Sequence, residues 1–266
     1  MSFQPVIAGS GLSGWSFLNR TIVKQEAAFE ASADMQRDTD YFRAKIGTID
    51  TAEQLVSDRR LRKVALGAFG LQDDIDNIFF IRKVLDGGTI AADSLANRMS
   101  DSRYKAFSKA FGFGDFAIPR SKLSTFADEI TSKYNARSFE VAVGQQDENL
   151  RLALSAKREL AGIAADDGSD DTKWFRVMGS SPLRKVFETA LGLPSSFGQL
   201  ELDQQLATFR DKAGRQLGNG EIGQFGDEAA VEKLVQRFLV RAQLADVQSS
   251  TAGSIALTLL QGTASG

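Results

Sequence analysis

VSDRRLRKVALGAFGL, from Val56 to Leu71, and MGSSPLRKVFETALGL, from Met178 to Leu193, align without a gap, and their reading decides the fold. They share Leu61/Leu183, Arg62/Arg184, Lys63/Lys185, Val64/Val186, Ala68/Ala190, Gly70/Gly192 and Leu71/Leu193. Asp58 and Ser181 are residue types that accept hydrogen bonds from the first free amides of a helix, and Pro182 suits the first helical position. Apolar residues then face a core. Gly70 and Gly192 can take the left-handed conformation that ends a helix, with the following leucine packing back on it. A third copy, Met99–Phe113, is one residue shorter, opens at Asp101 and closes on Ala110-Phe111-Gly112-Phe113. A weaker echo is Ala142-Val143-Gly144 followed by Gln146-Asp147-Glu148, as Gly70 is followed by Gln72-Asp73-Asp74. Acidic residues such as Asp73 and Glu201 favour the start of the next helix.

Outside the copies the helical period continues. Leu123, Phe126, Ala127, Ile130 and Tyr134 lie on one face, as do Val231, Leu234, Val235, Phe238, Leu239 and Ala242. Tyr41, Phe42 and Ile46 form a shorter stripe, and Asp50, Thr51 and Glu53 signal a helix start. Strand-like alternation is nearly absent, so the fold is expected to be all-α. The copies are spaced irregularly, which a strict solenoid would not allow. A multi-helical body made by duplication is expected over 21–245, with an extended arm at 1–20, a tail at 246–266 and a sub-boundary near 165–171, where Asp166–Asp171 reads DDGSDD.

With 266 residues, 42% hydrophobic, the chain is long enough and apolar enough to bury a core. A formal net charge of -2 gives no general field for nucleic acid or an anionic membrane, and neither is expected as a partner. There is no cysteine and no histidine, which excludes disulfides, Cys/His zinc sites, thiolate nucleophiles and histidine-based proton shuttles. No run approaches the roughly 20 apolar residues of a membrane span. No cleavable signal peptide is read at the N-terminus, so a cytoplasmic start is expected.

Several segments resemble sites. Gly9-Ser10-Gly11-Leu12-Ser13-Gly14 fits G-x-G-x-x-G, but the run before it, Val6-Ile7-Ala8, is short, and the acidic residues at the expected distance, Glu26 and Glu30, lie in a helical pattern. A flexible arm anchored by Trp15 and Phe17 explains it better. Asp166, Asp167, Asp170 and Asp171 lack the ligand alternation and closing glutamate of a calcium loop, and a solvated loop that caps the next helix is preferred to a metal site. Arg59, Arg60, Arg62 and Lys63 read first as a solvated helix face paired with the nearby Asp73 and Asp74, and second as a partner-binding face. Phe79, Phe80, Phe107, Phe111 and Phe113 fall at helical spacings, for which core packing is the default.

Two longer strings carry a resemblance. One is LVSDRRLRKVALGAFGLQDDIDNIFFIRKVLDGG, from Leu55 to Gly88, continued by SLANRMSDSRYKAFSKAFGFG. The other is FEVAVGQQDENLRLALSAKREL, from Phe139 to Leu160, continued by WFRVMGSSPLRKVFETALGLPSSFGQLELDQQ. From about Tyr41 to Gln243 the chain resembles the alphaproteobacterial domain of unknown function 1217 family. The resemblance implies a flagellum-associated role, because members are often encoded among flagellar genes, and it supplies no catalytic residues. The expectation is a non-catalytic helical interaction or structural protein with no cofactor. Its partners would be other proteins, flagellar components among them, and it would stay in the cytoplasm or be exported to the flagellum. Candidate partner-binding residues are Trp15, Phe17, Arg59, Arg60, Arg62, Lys63, Ile255, Leu257 and Leu260. The alternative is a nucleotide-binding protein or enzyme using the Gly9–Gly14 loop.

Overall fold

The computed structural model describes the backbone over residues 3–263 and the side chains over residues 3–247. Among the described residues there are thirteen α-helices, four short 3-10 turns and no strand. The chain divides into two compact units, Met1–Ile7 with Leu18–Gln146 and Ala8–Phe17 with Asp147–Gly266. The break falls at the Gln146–Asp147 step and not at residues 165–171. The helix α1 (Gly11–Glu30) gives its first turns to the second unit and the rest to the first.

The first unit holds α2 (Ala33–Ile46), α3 (Ala52–Ser57), α4 (Arg59–Gly67), α5 (Ile78–Gly87), α6 (Leu95–Arg98), α7 (Ser102–Phe111) and α8 (Phe126–Gly144). Asp58 starts α4 by accepting from the amides of Arg60 and Leu61, and Asp101 starts α7 by accepting from Arg103. After α4, Gly70 takes φ 71, and the amide of Leu71 returns to the carbonyl of Leu66 at 2.9 Å. This closes the helix with a left-handed glycine. The core gathers Phe69, Phe107, Phe111 and Phe126, whose rings meet edge-on or tilted at 5.1 to 6.4 Å.

The second unit holds α9 (Glu148–Ala164), α10 (Asp170–Gly179), α11 (Ser181–Leu191), α12 (Leu202–Leu217) and α13 (Glu228–Thr263). Gly192 ends α11 at φ 65 and ψ 45, and Leu193 N returns to Glu188 O at 2.9 Å. Trp174 and Phe209 stack at 5.5 Å, and Phe187 meets Phe225 edge-on at 5.4 Å. Trp174 and Phe187 are fully buried; removing one such side chain from water contributes about 1.5–3 kcal/mol.

The two units repeat one plan. In the first, α4 packs on α2, α3 and α8; in the second, α11 packs on α9, α10 and α13. Registers agree as well. Buried Ala52, Leu55 and Val56 of α3 match buried Trp174, Val177 and Met178 of α10. Ile130, Thr131 and Tyr134 of α8 match Leu234, Val235 and Phe238 of α13, all buried. The duplication read from two strings therefore extends to their neighbours.

Four expectations are corrected. Residues 11–20 are helical, and the segment ahead of them is pinned: Val6 N donates to Gln25 Oε1 at 2.6 Å, and Gln146 Nε2 donates to Pro5 O at 2.6 Å. Ser180, not Ser181, precedes α11, and its side chain makes no capping bond. Gly144 is the last residue of α8 rather than a left-handed turn, while Asp147 does cap α9 through the amide of Leu150. Phe79 is 77% exposed, so it is not a core residue.

Candidate functional site

In the second unit the abrupt end of α11 opens a groove of about 840 Å3. One wall is the last turn of α11 with its cap, Glu188, Thr189, Gly192 and Leu193. The opposite wall is α13, through Lys233, Gln236, Arg237, Val240, Arg241, Leu244 and Ala245, and Leu12 of α1 lies at the edge. Leu12, Val240 and Leu244 are 39%, 40% and 57% exposed. Three large apolar side chains thus converge on a concave surface that none of the described residues covers.

Cations rim this apolar strip. Arg237 Nε donates to Ala190 O at 2.8 Å and Lys233 Nζ to Leu217 O at 3.0 Å, so both are held at the carbonyl ends of helices, where a positive charge is favoured. Arg241 differs. Its guanidinium lies over the Gly192 cap, where a Cβ would stand 3.0 Å from Cζ, and only glycine allows that approach. Among the described residues Arg241 has no hydrogen bond and no ion pair. The nearest candidate carboxylate on the wall, Glu188, is bonded to Arg184 Nε at 2.7 Å. The groove therefore presents apolar surface beside a positive charge.

Elsewhere the sequence candidates have structural work. Trp15 is 2% exposed and donates Nε1 to Glu232 at 2.9 Å, so it anchors α1 within the second unit and is not offered to a partner. Phe17 is half-buried. Arg62 is buried, with Nε 2.7 Å from Ile75 O and its other end on Val56 O, and is likewise withdrawn from the surface. Arg184, its duplicate, spans to Gln205 Oε1 at 2.7 Å, so the repeated arginine ties each glycine-capped helix to the chain that follows. Arg59 pairs with Asp76 at 3.0 Å, Arg60 lies over the Tyr41 ring and Lys63 reaches Asp38 at 2.6 Å. The expected partners Asp73 and Asp74 are not the ones used. Tyr134 also donates to Asp38, and burial, followed by the charge of that carboxylate, pushes its hydroxyl pKa up. The side chains of Ile255, Leu257 and Leu260 lie outside the described residues.

The remaining motifs are explained by packing. Among the described residues no strand precedes Gly9–Gly14; Gly11 opens α1 and its missing Cβ leaves room for the Gln243 side chain, while Gly14 sits against the Gly9 carbonyl. The acidic loop is consumed by arginines: Asp166 meets Arg176 at 2.9 Å, and Asp170 and Asp171 share Arg210 at 2.8 and 2.5 Å. Among the described residues no group of three or more acidic side chains is arranged to hold a metal ion, and no helix is long and apolar enough to cross a membrane.

Sequence reasoning missed Leu12, Val240, Arg241 and Leu244. A signal existed: Val240, Leu244 and Val247 recur at i, i+4 and i+7 on α13, off the strict stripe that fills the core. The family described as a protein of unknown function (DUF1217) matches residues 68–231. Among solved structures, the crystal structure of protein AGR_C_984 from Agrobacterium tumefaciens is similar, with a TM-score of 0.73 and 25% identity over 91% of this chain and 97% of that one. No curated protein matches the chain.

Proposed function

We propose that this chain, which belongs to the DUF1217 family, is a non-catalytic protein-binding component, and that the groove between α11 and α13 is where a segment of its protein partner docks. The observation that carries this is the exposed apolar strip of Leu12, Val240 and Leu244 beside Arg241, a cation with no hydrogen bond or ion pair among the described residues. Concave apolar surfaces with a few placed polar groups are the usual form of a recognition site. Trp15, Arg59, Arg60, Arg62 and Lys63, which resembled sites, are committed to internal contacts, which favours binding at the groove. The nucleotide alternative is weaker, because glycines 9–14 open a helix with no strand before it among the described residues and are accounted for by packing.

The resemblance to a family whose members are often encoded among flagellar genes supports a partner in the flagellum or its assembly. The test is deletion of the gene in its native host, scored by swimming and electron microscopy, with complementation by the wild type and by Leu244→Asp. Leu244 is exposed, so this variant is expected to fold. Restoration by the wild type and failure of the variant is the expected result. Normal swimming in the deletion strain contradicts the flagellar setting, and full rescue by Leu244→Asp contradicts the groove.

A further inference from the structure

The duplication itself says what the groove is missing. In the first unit, the corner equivalent to the groove lies over Gly70, and Arg137 of α8 stands there as Arg241 of α13 stands over Gly192: a Cβ at Gly70 would be 3.0 Å from Arg137 Nη1. That corner is occupied. Arg103, at the start of α7, donates to the Gly70 carbonyl and pairs with Asp101 at 2.7 Å, bringing an acidic helix start to the cap. Behind it, Phe107 meets Phe69 at 5.4 Å. The result is visible in burial: Leu71 is 2% exposed and Gly70 is half-buried, whereas Leu193 is half-buried and Gly192 is exposed.

From this contrast, and resting on the reading of the groove as a docking site, we infer that its occupant is a helix of a partner protein carrying a carboxylate for Arg241 and, one turn away, large apolar side chains for the Val240–Leu244 strip. Charge complementarity gives the sign: Lys233, Arg237 and Arg241 line the groove, and its one acidic residue, Glu188, is already neutralised by Arg184. Geometry gives the conformation. Val240, Leu244 and Val247 follow one another along about 10 Å of helix, the length of two turns of a helix lying alongside. Val247 is 62% exposed, so the strip continues past the groove's mouth. Arg241 is half-buried over a helix cap, where a salt bridge is screened less than on an open surface.

The experiment begins with a photo-reactive phenylalanine at Val240 of the full chain in the native host, with the exposed Lys185 position as control. The cross-linked segment is sequenced, made as a peptide, and titrated against the purified wild type, Arg241→Gln and Arg241→Lys by fluorescence anisotropy. The expected segment has an Asp or Glu within one helical turn of two large apolar residues. Arg241→Gln is expected to weaken binding about tenfold, and Arg241→Lys by less than about threefold, since the charge is kept. Replacing the peptide's acidic residue by its amide should weaken wild-type binding equally and leave Arg241→Gln unaffected. A segment without a carboxylate, or an affinity unchanged in Arg241→Gln, overturns the acidic occupant while leaving the groove as a docking site. Equal cross-linking at Val240 and Lys185 overturns the docking site itself.

Discussion

The two units solve the same packing problem and diverge at one corner. Each builds a three-sided core around a helix that ends on a left-handed glycine, with an arginine from the last long helix lying over that glycine. Over Gly70 the chain supplies cover through Asp101 and Arg103; over Gly192 the described residues supply none. An old duplication thus leaves one copy closed and one open, and the open copy is where an external partner has room to act. Identical caps do not imply identical roles. What surrounds the cap decides.

The largest expected difference lies in the cores. Trp174 of α10 occupies the position held by Ala52 in α3, and it contacts Phe187 and Phe209 while donating Nε1 to Gly220 O at 2.9 Å. Trp174→Ala is expected to destabilise by about 3–5 kcal/mol. Hydrogen exchange should show protection lost in α10–α12 first, with α2–α4 retained; uniform loss across both units would break their separation.

The repeated arginines give a smaller contrast. Arg62→Met leaves the carbonyls of Ile75 and Val56 without their donor inside the first unit and should cost about 2–3 kcal/mol in urea denaturation. Arg184→Met, at a half-buried site where Glu188 can turn to water while buried Gln205 keeps its bond to the Leu200 carbonyl, should cost less, about 1–2 kcal/mol. Equal losses would mean that the two arginines are equally structural.

Capping gives the smallest. Asp58→Ala removes two bonds to helix amides and should cost about 1 kcal/mol, whereas Ser180→Ala, where no side-chain cap bond is made, should change stability by less than about 0.5 kcal/mol. Burial alone would raise the Asp58 carboxyl pKa, but the Tyr41 hydroxyl and the amides of Leu61 and Arg60 outweigh it and hold it below the ordinary value. A carboxyl whose pKa is lower in the folded state stabilises fully above its unfolded value of about 3.9, and that contribution is lost as pH falls through the folded one. The gap in stability between wild type and Asp58→Asn should therefore be present at neutral pH and shrink below about pH 4.

Much of the fold was legible because helix-forming chemistry is local. The Asp58 and Asp101 caps, the turns at Gly70 and Gly192 and the core stripe of α13 follow from residue types at fixed spacing. The first helix was not legible, since three glycines and three serines within Gly9–Ser16 argue against helix by propensity. Tertiary packing of Trp15 against Glu232 overrides that preference. Nor was the site. Arg62 and Arg241 are equally charged in sequence, and only the carbonyl bonds of the one, against the lack of any hydrogen bond from the other among the described residues, separate them. Val240 and Leu244 required knowing which face of α13 the core leaves bare.

On the proposed reading the open corner, and not its closed counterpart, meets a partner. Ala136 of α8 stands in the first unit where Val240 stands in the second, by the register that matches Tyr134 with Phe238. The direct measurement places the same photo-reactive residue at Val240 and at Ala136 in separate strains and compares cross-linked products in living cells. A discrete product from Val240 that is missing from Ala136 is the predicted result; matching products from both positions, or one from Ala136 alone, would contradict the account.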